Sequence, residues 1–255
     1  MVPAIITLTT DFGPGEYTAA MKGVILGINP RVGLVDISHQ VGPQDILGGA
    51  FVLAAASPYF PPGTIHVAVV DPGVGTERRA LLVQTPGAVF LAPDNGLLSL
   101  VLEGSSYQVW ELNEHRYWSA EVSATFHGRD IFAPAAAHLS LGVTPQDMGR
   151  AVVDIMNLPL PPVKVVGGEV RGQVIHIDRF GNIITNIRQK DLPAGELVVE
   201  MAGRRIAGLS THYQAGKEPL ALMGSSDYLE IAAPNASAAE LLKAKRGLAV
   251  TVWQG

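Results

Sequence analysis

An apolar, β-branched run, His66-Val-Ala-Val-Val70, ends on Asp71; Pro72, Gly73 and Gly75 follow, and then Arg78. Further along, Phe126-His127-Gly128-Arg129-Asp130 adds an imidazole just before a helical pattern. Asp71, Arg78 and His127 together offer a carboxylate, a guanidinium and an imidazole. Such a set can orient a small nucleophile, accept its proton and steady a developing anion. A carboxylate beside an arginine stays ionised, while spacing alone leaves open whether Asp71 or His127 takes the proton.

The pattern of strand, Asp and then Gly recurs at Thr9-Thr10-Asp11-Phe12-Gly13 and at Ile177-Asp178-Arg179-Phe180-Gly181-Asn182. Each copy puts a carboxylate next to backbone that a ligand can approach closely, although Asp and Gly also serve plain turns. Asp94-Asn95-Gly96 reads as a tight turn leading into a helix at Leu97. The remaining histidines, His39, His66, His115, His138, His176 and His212, read as structural. Asp11-Phe12-Gly13 matches the kinase metal-binding tripeptide but lacks the upstream glycine-rich loop and the HRD sequence. Neither a GxxxxGK[ST] phosphate loop nor an HExxH metal pair is present, and no GxGxxG follows the first strand.

The elements that must carry these loops alternate in the first half. Strands are predicted at 4–9, 32–37 and 65–70, helices at 16–28 and 44–56, then strands at 80–84, 89–91 and 107–112 and a helix over 130–141. That order predicts an α/β domain with a central, mainly parallel sheet. Pro134 falls in the first turn of its helix, where a missing N–H does least harm. After Asn157 the proline-rich 158–162 stretch marks a connector. The domains are therefore expected at 1–157 and 169–255, with a linker over 158–168. The second half reads as short strands at 169–177, 183–187, 196–201, 220–223, 228–232 and 249–253, a small β-barrel domain, with one helix from a Ser237 cap to Gly247.

Composition narrows the function. Hydrophobic residues make up 47% of the 255, enough for packed cores, and the absence of cysteine removes thiolate catalysis and thiolate metal sites. The net charge of −5 and the scattered Lys and Arg leave no basic stripe for nucleic acid. No apolar stretch approaches membrane-spanning length and no basic segment precedes an apolar one at the N-terminus. A soluble cytoplasmic protein is expected, with neither nucleic acid nor membrane as partner.

Taken in order, TTDFG (9–13), DPGVGTERR (71–79), FHGRD (126–130), DRFGNIITNI (178–187) and GSSDYLEIA (224–232) resemble the S-adenosyl-L-methionine (SAM) hydrolases that form adenosine. These are also called SAM hydroxide adenosyltransferases and are related to the SAM-dependent fluorinase and chlorinase. The resemblance spans nearly the whole chain. It implies an α/β domain followed by a β-barrel, and hydrolysis of SAM to adenosine and L-methionine with no cofactor and no metal. It assigns the water-handling triad to Asp71, Arg78 and His127. It places ribose binding on Asp11, the methionine-end carboxylate on Asp178 and adenine reading on Asn182. Phe180 and Tyr213 become ring surfaces, and Ser225, Ser226 and Glu230 become contacts to methionine or adenine. It also implies a homotrimer with active sites shared between subunits. The related halogenases carry an extra loop in the first domain, whereas only a short connection joins Asp71 to Asp94 here. The alternatives are a halide-dependent adenosyltransferase and a non-catalytic SAM or adenosine sensor.

Overall fold

The computed structural model describes residues 3–214 and 219–255, which fold as two compact units, Met1–Leu158 and Pro159–Gly255. In the first, a seven-stranded sheet has the order β2-β1-β3-β5-β4-β6-β7. Its strands are β1 (Ile5–Thr10), β2 (Gly33–Ser38), β3 (Thr64–Val69), β4 (Ala80–Gln84), β5 (Ala88–Pro93), β6 (Gln108–Leu112) and β7 (Gly149–Val152). β2, β1, β3 and β5 pair in parallel, and β4 and β7 enter antiparallel, so β6 points the same way as the parallel group. The mainly parallel sheet predicted from the alternating pattern is present. β7 was not predicted: its four residues are half exposed and carry no periodic signal.

Alternation of side chains across the pleat gives the sheet two buried faces. On one, Ile6, Leu8, Val67, Val69 and Leu91 pack against Met21 and Ile25 of helix α1 (Glu16–Ile28), Phe132, and Ala133, Ala135, Ala136 and Ala137 of helix α3 (Ala133–Ser140). Each fully buried aliphatic side chain stabilises the unit by roughly 1.5–3 kcal/mol. The other face carries Thr7, His66 and Val70, with helix α2 (Ile46–Ala56) alongside. There a Cβ on Gly49 would lie only 2.8 Å from Leu97 and 3.0 Å from Val70.

Three helical expectations are corrected in this first unit. α2 starts at Ile46 because Asp45 accepts the Gly48 N–H as its cap. The helix predicted at Leu97 is a run of turns. The helix predicted over 130–141 begins as a π-helical turn, Gly128–Phe132, with the Ala133 N–H reaching back to the Gly128 carbonyl. Pro134 explains this geometry. It cannot donate to the Asp130 carbonyl and its ring would crowd it, so the wider turn opens and Ser119 N–H bonds that carbonyl instead, at 2.9 Å.

The second unit is a nearly closed barrel with the order β12-β11-β15-β9-β10-β14-β13, and β8 (Lys164–Val166) pairs with β9 (Glu169–Ile177). The other strands are β10 (Ile183–Arg188), β11 (Leu197–Met201), β12 (Arg204–Ala207), β13 (Leu220–Met223), β14 (Tyr228–Ala232) and β15 (Ala249–Gln254). β9 turns the corner, pairing with β15 through residues 170–173 and with β10 through 174–177. Gly172 permits it: a Cβ there would strike Asn186 Oδ1 at 2.4 Å and Ile187 at 2.5 Å. The helix expected from Ser237 to Gly247 shrinks to α5 (Ala238–Leu241). Ser237 does cap it, but Lys243 adopts a positive φ of 48° and ends the run well before Gly247.

Candidate active site

β1 continues to β2 on one side while β3 returns to its other side, so the strand order reverses between β1 and β3. In open α/β sheets ligands bind at the carboxyl ends of the strands at such a point. Thr10 and Val69 are paired across it; Asp11 follows Thr10 directly, and Asp71 follows Val69 one residue later, after Val70. The two carboxylates therefore hang from neighbouring strand ends.

Asp71 and Arg78 form a tight, almost fully buried pair. Arg78 Nε lies 3.0 Å from both Asp71 oxygens, and Nη2 also bonds Oδ2. The Asp71 side chain is 4% exposed and that of Arg78 9%. Arg78 Nη2 reaches His127 Nδ1 at 2.7 Å, and its guanidinium lies 5.5 Å from the Phe132 ring centre. A guanidinium only donates, so Nδ1 must accept and the neutral ring carries its proton on Nε2. Burial first, then the Arg78 charge, holds His127 below the ordinary imidazole range, in keeping with a neutral ring. Among the described residues Asp71 Oδ1 bears a single Arg78 contact and keeps a lone pair.

The supporting loops meet at Gly75, where φ is 78° and a Cβ would lie 2.2 Å from the Ala124 carbonyl oxygen. The second loop is folded by Asp130, whose Oδ2 accepts from Ser123 N (2.9 Å) and Ser123 Oγ (2.8 Å) while Arg129 bonds Oδ1 at 2.6 Å. Burial opposes ionisation of Asp130, but the Arg129 and Ser123 bonds outweigh it and hold its pKa below the usual carboxylate value. Phe126 and Phe12 stack edge to face at 5.6 Å, joining the loop before His127 to the loop that bears Asp11.

Asp11 accepts the Gln44 N–H on Oδ2 at 2.7 Å, leaving Oδ1 for a ligand. Gln44 holds a positive φ of 61° to make that bond. Asn95, read from sequence as part of a plain turn, donates its side-chain amide to the Val70 carbonyl at 2.8 Å and so braces the strand end that carries Asp71. Gln44, Asn95 and Asp130 are site residues that sequence reasoning missed. The Pro43-Gln44-Asp45 sequence ahead of α2 was the one visible hint.

In the second unit a cavity of about 590 Å³ is lined by Asp178, Phe180, Asn182 and Tyr213 together with Pro234, Asn235 and neighbouring residues. That is within the usual size range of small-molecule sites. Asp178 closes its own turn, with Oδ1 accepting from Phe180 N and Asn182 N, each at 2.8 Å, and Oδ2 from Asn182 Nδ2 at 2.9 Å. One lone pair on Oδ2 remains open. Because the carboxylate accepts, the Asn182 side chain must present nitrogen to it and keep its oxygen for an amino donor. Phe180 is 78% exposed and Tyr213 45%, so both rings offer open faces. Tyr213 donates to Glu230 Oε2 at 2.8 Å. Burial, with the bond to Glu230, pushes the Tyr213 hydroxyl up to about 12, and burial raises Glu230. Glu230 sits on β14 behind Tyr213, while Ser225 and Ser226 lie in the turn between β13 and β14; none of the three is among the cavity-lining residues. Asn235, with a φ of 55°, was not foreseen.

An open α/β sheet with a buried acid, guanidinium and imidazole set at its switch point, followed by a barrel with a ring-lined cavity, defines an enzyme that activates a small nucleophile. Family models described as the SAM hydroxide adenosyltransferase N-terminal and C-terminal domains match residues 6–149 and 172–251. The chain belongs to the SAM hydroxide adenosyltransferase family. It is 39% identical over 252 residues to the (R)-S-adenosyl-L-methionine hydrolase of Thermus thermophilus, covering 94% of this chain and 96% of that one. It is 30% identical over 288 aligned positions to a fluorinase of Actinoplanes sp., covering 97% of each. A crystal structure of an uncharacterized conserved protein from Thermotoga maritima matches with a TM-score of 0.91 at 33% identity, covering 98% of this chain and 100% of that one. Among the described residues no helix is long and apolar enough to cross a membrane.

Proposed function

We propose that this protein hydrolyses SAM to adenosine and L-methionine by in-line attack of water at C5′. The observation that carries this reading is the buried Asp71–Arg78–His127 set at the sheet's switch point, in a chain similar over almost its whole length to a SAM hydrolase. Attack forms the oxygen–C5′ bond and breaks the C5′–sulfur bond, and the electron pair returns to sulfur. The leaving group is a neutral thioether that needs neither protonation nor a Lewis acid, so the chemistry falls on the nucleophile. Asp71 Oδ1 orients the water and draws on its proton. Arg78 fixes the direction of that carboxylate and stabilises developing hydroxide, and neutral His127 holds Arg78 through Nδ1.

Asp11 accepts the ribose hydroxyls, Asn182 reads the adenine amino group, and Phe180 and Tyr213 supply ring surfaces. Asp178 faces the methionine ammonium with its remaining lone pair. Glu230 supports these contacts through its bond from Tyr213, and Ser225 and Ser226 contact methionine or adenine. The working form is a cytoplasmic homotrimer whose sites are completed between subunits, and no cofactor takes part.

Incubating purified protein with SAM and following adenosine by chromatography tests the reading. Adenosine release above the uncatalysed rate is expected. Tight SAM binding with no adenosine would identify a sensor, and 5′-halo-adenosine formed on adding chloride or fluoride would identify a halogenase.

A further inference from the structure

His39 holds the residues on both sides of Asp11. Its Nδ1 lies 2.9 Å from Thr10 Oγ1, and its backbone carbonyl accepts the Gly13 N–H at 2.8 Å. Thr10 Oγ1 already accepts the Phe12 N–H at 3.3 Å, which leaves the hydroxyl proton for His39 Nδ1. The ring proton then sits on Nε2, which faces Asp36 Oδ1 at 3.1 Å, and the other Asp36 oxygen takes Lys22 Nζ at 2.6 Å. The Lys22–Asp36 ion pair, on α1 and β2, thus lies beside the imidazole, whose Nε2 is within ion-pair distance of Asp36 but makes no hydrogen bond among the described residues. The His39 side chain is only 9% exposed although Asp36 is 40% exposed, so the imidazole is held inside, against the loop, and not at the surface.

The consequence is geometric. Thr10 is fully buried, Gly13 takes a φ of 72°, and among the described residues the Asp11 carboxylate is tethered by Gln44 on Oδ2 alone. The direction of Oδ1 therefore depends on an arc of chain gripped at its start by the His39 ring and at its end by the His39 carbonyl. We propose that His39 is a positioning residue for Asp11 and thereby sets recognition of the vicinal diol of a ribose. The inference rests on the reading of Asp11 as the ribose-binding carboxylate.

The test compares adenosine with 2′-deoxyadenosine by calorimetry on the full chain, alongside SAM turnover. His39→Ala is expected to weaken adenosine about tenfold, one hydrogen bond's worth, while 2′-deoxyadenosine changes little. The preference for the ribonucleoside then collapses, and KM for SAM rises with kcat held within about threefold. In an Asp11→Asn background the same substitution should add nothing. His39→Asn, which can keep an acceptor for Thr10, should restore most of the preference, and Thr10→Val should reproduce the loss. These two variants carry the test if His39→Ala does not fold. Equal losses for both nucleosides, or a further tenfold loss in the Asp11→Asn background, would overturn the proposal. A wild-type protein that binds the two nucleosides equally would instead reject Asp11 as the ribose carboxylate, and the role of His39 with it.

Discussion

Because a guanidinium has no acceptor, the Arg78 contact decides the protonation state of His127 and leaves Asp71 as the group able to draw on a proton. Asp71→Ala should lower kcat by about 100-fold or more, the scale of a lost general base. Asn182→Ala should chiefly raise KM, by about tenfold, since it removes one base contact and one of the bonds orienting Asp178. Steady-state kinetics on both variants check this division, which matching losses would contradict. An acid limb governed by His127 should lie below the ordinary imidazole value of 6.5, because burial first, and then the Arg78 charge, disfavour the imidazolium. His66 makes a separate prediction about stability. It is fully buried, bonded to Thr7 at 2.7 Å and stacked on Phe90 at 5.0 Å, and burial lowers its pKa from 6.5 to about 4. As pH falls below 6.5 the unfolded chain takes up the proton first. Stability present above 6.5 is therefore lost progressively down to about pH 4, by about 3 kcal/mol. Urea unfolding at a series of pH values measures the slope, and His66→Gln should flatten it.

The loops and turns that carry the triad respond to backbone geometry more than to side-chain chemistry. Gly75→Ala must fit a Cβ 2.2 Å from the Ala124 carbonyl at a left-handed φ, so it should cost about 2 kcal/mol or more and separate the Arg78 and His127 loops. Thermal unfolding and turnover should fall together. Pro134→Ala tests the π turn in the opposite sense. A new N–H competes with Ser119 for the Asp130 carbonyl, so the helix should regularise and activity should drop without loss of thermal stability. The strand-end carboxylates were legible in the sequence because β-branched runs closed by Asp and Gly mark themselves. The π turn was not, since it depends on Pro134 acting with Ser119, a residue distant in sequence. The shortened α5 was hidden in the same way, because Lys243 at positive φ overrides a run of good helix formers. Gln44 and Asn95 act on the site through backbone contacts to strand ends that only the sheet brings near.

For the whole molecule, the composition and the switch from alternating to all-strand patterning were enough to expect an α/β unit and a barrel. Strand order was not readable, because β4 and β5 form a hairpin yet only β5 lies beside β3. The proposed chemistry is divided between the units, with Asp11 and the triad in the first and the cavity of Asp178 and Asn182 in the second. If subunits complete one another's sites, inactive Asp71→Ala and Asp178→Ala chains should rescue each other when unfolded and refolded together. Random mixing in a cyclic trimer would leave about a quarter of the sites intact. Activity recovered in the mixture, absent from either variant alone, is the expected result, and light scattering checks the trimer. The Thr10–Val69 pairing has one more consequence. Adjacent strands are held about 4.8 Å apart by their hydrogen bonds, so the sheet itself acts as a ruler between the roots of Asp11 and Asp71. Substrate choice is then partly a matter of length. A sugar whose reacting carbon lies further from its diol than C5′ does in a furanose would reach one carboxylate and miss the other, whatever base it carried.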